Sequence, residues 1–306
     1  MTLTRRQALL SGAALPLAAT LSTVATPAAA ASTSASLPQF RDFTLGEFRV
    51  TTLLSGSRAV PEPHKIFGLN VDDATFAEVS QQAFLPADVA QFFFTPTVVD
   101  TGAEKILFDT GPAAEGTIAA LAAAGYTPDQ ITHVVLTHMH GDHIGGLTDA
   151  NGAETFANAA YITGQTEYDA WAAMNDDGFE AKVRPLADKM TFIGDMTDVR
   201  PGITGMNAFG HTPGHMVFML ESGGKQLLLT ADLANHYVYS LAHPTWEVSF
   251  DADKAMAAQS RQKMLGMLAA DRVPMIGYHM PFPGAGFVEA AGEGFRFVPQ
   301  SYQLML

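Results

Sequence analysis

His138-Met139-His140-Gly141-Asp142-His143, followed at once by Ile144-Gly145-Gly146-Leu147, is the stretch on which the reading of this chain turns. It follows residues 131–137, a run of β-branched and apolar side chains that predicts a buried strand. Imidazoles two apart in an extended turn can converge on one cation, while Asp142 and His143 reach a neighbouring one. A chance His-rich patch is the plain alternative. Four ligand-type side chains within six residues, set at a strand end and followed by a Gly pair, argue against it.

Outward from this cluster, three more patches sit beside predicted strands. His211-Thr212-Pro213-Gly214-His215 precedes a strand at 217–221, and its Pro-Gly turn can present one imidazole inward. The other imidazole is expected to satisfy a buried carbonyl, and His211 is given that place. Asp232 closes a strand at 226–230; such an Asp is commonly a cap or turn residue. His279 follows a strand at 273–278 in Tyr278-His279-Met280-Pro281-Phe282-Pro283-Gly284. Position raises all of them together, because one rim of a sheet can collect four patches. Their combined five His and two Asp exceed the need of one tetrahedral zinc and suit two ions sharing a carboxylate.

The composition narrows the partners. With 47% hydrophobic residues and 20 Phe among 306, the chain can bury a large core, which excludes disordered and fibrous classes. The net charge of -14 argues against nucleic acid and against an anionic membrane surface. No Cys is present, which removes disulfides, thiolate zinc sites, Fe–S clusters and Cys nucleophiles. Residues 1–31, with Arg5-Arg6, an Ala/Leu-rich run broken by Pro16 and small residues at 28–31, read as a Tat-type signal peptide. Residues 32–39 read as a linker and 40–306 as one layered α/β domain. The expected location is periplasmic or secreted, with no membrane attachment once the signal is cleaved.

Strands are expected at 43–54, 160–163 and the places named above, with a hairpin over 92–101 and 105–109. Helices are expected at 113–124, 165–174, 178–187 and 251–270. In the last, Met256, Ser260, Met264 and Met267 with Leu268 are taken as a packed stripe. Phe92, Phe93 and Phe94 are taken as sheet core.

The run 138–143, His215 within His-Thr-Pro-Gly-His, Asp232 and His279 together resemble the ordered motifs of the metallo-β-lactamase superfamily, whose fold is an αββα sandwich. The stretches 209–215 and 279–299 are similar to those of methyl parathion hydrolase and its lactonase and aryl-esterase relatives. The resemblance implies that one zinc takes His138, His140 and His215 and the other Asp142, His143 and His279. Asp232 bridges both, His211 orients a ligand loop, and a homodimer is admitted. It further implies a dinuclear hydrolase in which a metal-bridging hydroxide attacks lactones, aryl esters or organophosphate triesters, with Asp142 as the catalytic carboxylate. Trp171, Phe179 and Phe282 are the expected walls of a small-molecule pocket, and 234–246 is expected near it.

Rivals on the same fold differ at particular residues. Flavo-diiron reductases carry Glu where this chain has His140, and two β-lactamase classes need a Cys ligand. Glyoxalase II-like thioesterases share the ligand set but bind glutathione through a basic helical C-terminus, whereas this chain ends in Gly/Phe-rich strand-like sequence. β-Lactam hydrolysis remains an alternative. A persulfide dioxygenase-like oxidoreductase would hold one iron through His138, His215 and Asp232.

Overall fold

The computed structural model describes residues 38–301. The expected signal peptide and all but the last two residues of the linker lie outside them. Strands β1 (Phe40–Leu45) and β2 (Phe48–Leu53) form a hairpin, and β3 (Gly56–Pro61) pairs with β4 (Val89–Phe94) in a separate ribbon. Helix α1 (Asp73–Gln82) lies between β3 and β4 in the sequence. β5 (Thr97–Asp100), β6 (Lys105–Phe108), β7 (His133–Leu136), β8 (Ala160–Gly164) and β9 (Met190–Ile193) complete a seven-stranded sheet in the order β1-β2-β5-β6-β7-β8-β9. Pairing is antiparallel up to β6 and parallel from β6 to β9. The parallel crossovers carry α2 (Ala114–Ala123), the short α3 (Gly141–Ile144), α4 (Gln165–Met174) and α5 (Asp177–Lys182).

The second sheet follows chain order. It contains β10 (Thr197–Arg200), β11 (Ile203–Asn207), β12 (Met216–Ser222), β13 (Lys225–Ala231), β14 (Met275–Gly277), β15 (Ala285–Ala291) and β16 (Gly294–Pro299). Only the β13–β14 pair is parallel, and α6 (Lys254–Asp271) lies in that crossover.

The two-residue period of a strand sorts side chains into layers. Ile106, Phe108 and Val135 face Phe218, Leu227 and Leu229 between the sheets. Their neighbours Leu107, Val134 and Leu136 turn outward to pack with Leu121 of α2 and Phe179 of α5. On the far side, Val217, Leu228 and Met275 pack with Met264, Leu265 and Leu268 of α6. Helix, sheet, sheet, helix is the αββα sandwich expected.

Local expectations needed three corrections. The single strand at 43–54 is a hairpin, turned at Gly46, where φ is +58°; its continuous alternation masks the turn. Residues 92–94 belong to the ribbon with β3, so the expected hairpin begins only at Thr97. On α6 the buried face is Ala257, Arg261, Met264, Leu265 and Leu268, whereas Met256 is exposed. Of the expected stripe, Met264 and Leu268 are buried and Met267 packs beside them, while in the first half Ala257 and Arg261 replace Met256 and Ser260 on the buried face.

Candidate active site

Both sheets deliver residues to one rim. His138, His140, Asp142 and His143 leave the C-terminal end of β7, Asp232 that of β13 and His279 that of β14; His211 lies in the turn from β11 to β12. Two groups of side chains come close enough to share a cation: His138, His140, His211 and Asp232, and Asp142, His143 and His279. Asp232 joins them, since Oδ2 lies 3.3 Å from His211 Nε2 and 3.2 Å from His279 Nε2 while Oδ1 lies 3.2 Å from His143 Nε2.

The far side of four of the rings is already engaged. His143 Nδ1 meets Asp109 Oδ2 at 2.8 Å, His211 Nδ1 meets Asp251 Oδ1 at 3.0 Å, and His279 Nδ1 meets the Phe93 carbonyl at 2.8 Å. His138 Nδ1 meets Thr137 Oγ1 at 3.1 Å. Such partners fix ring orientation and leave Nε2 for a metal. His140 Nδ1 lies 3.1 Å from His138 Nε2 and 3.0 Å from His211 Nε2, three nitrogens on one point. His143 Nε2 and Asp232 Oδ1 are buried with no hydrogen-bond partner, a costly state for polar atoms unless a cation sits between them.

His211 and His215 exchange their expected places. His215 Nδ1 donates to the Ala208 carbonyl at 3.1 Å, and its Nε2 accepts the Asp232 N–H at 3.2 Å. Both nitrogens are thereby spent on main chain, and no lone pair remains for a metal. His211 takes the site position, and His215 holds Asp232 from behind.

The electrostatics suit a cation. Burial opposes charge on His279, but Asp232 and Asp142 push its pKa up to about 9. Burial likewise opposes charge on His143, and Asp232, Asp109 and Asp142 raise it well above the ordinary value. His140, buried and beside His211, falls to about 4. Burial would raise Asp142, yet His143 and His279 hold it near about 2. A field that draws protons onto two imidazoles also draws a divalent ion, and the N/O donor set suits zinc.

Two buried carboxylates that sequence reasoning missed brace these loops. Glu167 of α4 accepts at Oε1 from Met139 N at 3.0 Å and Trp171 Nε1 at 2.7 Å. At Oε2 it accepts from Thr212 Oγ1 and Gly214 N, both at 2.8 Å. It therefore clasps the 138–143 loop to the 211–215 loop. Burial raises its pKa while these donors oppose the rise. Gly214 permits the approach, since a Cβ there would fall 2.2 Å from Glu167 N. Asp109, in the left-handed region at φ +59°, accepts from Thr137 N at 2.9 Å and Thr137 Oγ1 at 2.8 Å besides His143. An Asp followed by Thr-Gly at a strand end was a usable signal for Asp109; Glu167 sits in an ordinary helix and gave none.

The cluster opens into a cavity of about 430 Å³, walled by Phe92, Phe94, Pro112 and Phe250, with Arg58 also lining it. Phe92 and Phe94 are buried in a core cluster with Phe67, Phe76 and Trp246, as expected, and they also stand edge-on to His279 at 5.2 and 5.6 Å on the cavity wall. Phe179 is fully buried in the outer core, away from the cavity. Phe282 is half-buried and does not line it. Trp171 meets the His140 ring edge-on at 5.8 Å, bonded to Glu167, and packs against the same core as Phe179. The segment 234–246 faces a different cavity.

An αββα sandwich with a His/Asp rim of this kind defines a class of metal-binding enzymes. The chain belongs to the metallo-beta-lactamase superfamily, whose family model matches residues 95–275. It is 27% identical over 188 residues to the N-acyl homoserine lactonase of Bacillus cereus, covering 56% of this chain and 72% of that protein. To an N-acyl homoserine lactonase of Bacillus sp it is 30% identical over 148 residues, 48% of this chain and 56% of the relative's length. Among solved structures, AidC, a dizinc quorum-quenching lactonase in complex with a product, superposes with a TM-score of 0.78 at 26% identity, covering 86% of this chain and 97% of AidC.

Proposed function

We propose that this metal-dependent hydrolase opens lactone rings, using two zinc ions. His138, His140 and His211 would hold one, Asp142, His143 and His279 would hold the other, and Asp232 lies within reach of both groups. The observation that carries this reading is the gathering of six side chains around Asp232, with the outer nitrogens of His138, His143, His211 and His279 already engaged. Two such ions would polarise a carbonyl oxygen and lower the pKa of water. Asp142 is the site carboxylate most open to the cavity and stays ionised, so it takes a proton from attacking water at Oδ1, the oxygen that does not face His279. Phe92, Phe94 and Phe250 exclude water from the scissile bond and receive an acyl or aryl substituent. Arg58 complements the carboxylate released on ring opening. The aromatic walls also favour aryl esters as a second substrate class. The leader read over 1–31 supports a periplasmic or secreted location for the activity.

The test compares zinc-loaded and metal-stripped protein on hexanoyl-homoserine lactone, dihydrocoumarin, p-nitrophenyl acetate and methyl parathion. Lactones are expected to turn over fastest, with activity lost on stripping and restored by zinc. Absence of metal-dependent turnover on all four overturns the reading, and bound iron with oxygen uptake points to the oxidoreductase instead.

A further inference from the structure

Behind β4, on the side opposite Phe92 and Phe94, lies a second cavity of about 410 Å³. Ala59, Phe93, His236, Tyr237, Tyr239 and Pro281 contribute to its wall, and no residue lines both cavities. No Lys, Arg, Asp or Glu is among its lining residues. Its volume falls within the range of about 300–1,000 Å³ usual for organic ligands.

The His236 ring is stacked with Tyr237 at 4.9 Å and with Tyr239 at 4.3 Å. Its Nδ1 accepts the N–H groups of Val238 at 3.1 Å and Tyr239 at 3.2 Å. That use of the Nδ1 lone pair places the ring proton on Nε2. Burial holds the imidazole down at about 3, so the ring is neutral. His236 is 7% exposed, yet Nε2–H finds no acceptor among the described residues. An accessible donor that the chain leaves without an acceptor, on the wall of an uncharged cavity, can serve one from outside the chain.

We propose that this cavity is a second small-molecule site, which takes a neutral molecule with a flat apolar body and a carbonyl oxygen that accepts from His236 Nε2–H. Its occupant lies one strand away from the reaction cavity, behind the residue whose carbonyl holds His279.

The probe is N,N-dimethylbenzamide, with cumene as a matched molecule lacking the acceptor, each titrated calorimetrically into zinc-loaded protein. Two variants separate space from hydrogen bond. Ala59→Trp fills the cavity from an exposed strand position. His236→Asn removes Nε2–H while keeping a side-chain oxygen to cap Val238 and Tyr239. The amide is expected to bind at one saturable site, about tenfold tighter than cumene, as one neutral hydrogen bond allows. Ala59→Trp should weaken both at least tenfold, and His236→Asn should bring the amide to the level of cumene. Saturating amide should leave the KM for a lactone unchanged. Absence of saturable binding, unchanged affinity in both variants, or a rise in KM from competition overturns the proposal.

Discussion

His211 and His215 sit in one five-residue turn, and the count of free ring nitrogens separates their roles. His211→Ala should abolish metal-dependent activity with modest loss of stability, because it removes a side chain facing the cluster. His215→Ala leaves the Ala208 carbonyl and the Asp232 N–H buried and bare, at about 1–3 kcal/mol each, and should lower the urea midpoint more than His211→Ala does. Unfolding curves and zinc content of the two variants check this; the reverse ranking counts against it. Glu167→Gln is the companion case. Four donors point at its two oxygens, so an amide nitrogen must face two of them. Zinc affinity, measured by chelator competition, should fall about 10- to 100-fold. The sequence showed which residue types gather, because His and Asp at strand ends have few other reasons to cluster. It did not show which nitrogen points where, since His-Thr-Pro-Gly-His is nearly symmetric and only the packed loop breaks the tie.

Helix α6 illustrates the next level. Arg261 is fully buried and donates to Asp251 Oδ2 at 2.8 Å, to the Pro244 carbonyl at 2.9 Å and to the Trp246 carbonyl at 3.0 Å. Asp251 in turn holds His211, so α6 reaches the site through one carboxylate. Arg261→Met should cost about 3–5 kcal/mol, as removal of one partner of a buried pair does, and should also weaken zinc binding. Denaturant unfolding with zinc titration checks both; a loss of stability without a loss of affinity would separate α6 from the site. The helix itself was legible from its length and Ala/Met content, as was the packing of Met264 and Leu268, but the buried place of Arg261 was not. A periodicity argument assigns Arg to solvent, and only tertiary pairing with Asp251 reverses that. The hairpin at Gly46 and the β3–β4 ribbon were missed for a related reason, since strand pairing is decided across the fold and not along the chain.

For the molecule as a whole, the layered class followed from alternating strand and helix signals, and the order of the motifs led to the superfamily that the chain belongs to. The cavity walls did not follow, because Phe92, Phe94 and Phe250 reach the site from separate segments that no local pattern unites. Acid should destabilise the fold through buried neutral histidines. His236 titrates at about 3 in the folded chain against 6.5 ordinarily, so the unfolded state binds the extra proton first. Stability therefore falls as pH drops from about 6.5 towards 3. Unfolding free energies at pH 7 and pH 5 should differ more for the natural chain than for His236→Asn; equal differences would rule out this contribution.

The rim that gathers the site has one more consequence. The 138–143 loop hangs from one sheet, and His211, Asp232 and His279 hang from the other. Any cation gripped by both sets rivets the two halves of the sandwich across a long span of chain. Cross-links of that reach restrict the unfolded ensemble most strongly. A chain with no cysteine thus acquires the equivalent of a removable staple. Its resistance to proteolysis should then track the free metal ion of its surroundings, which would make durability and catalysis two readouts of the same bond.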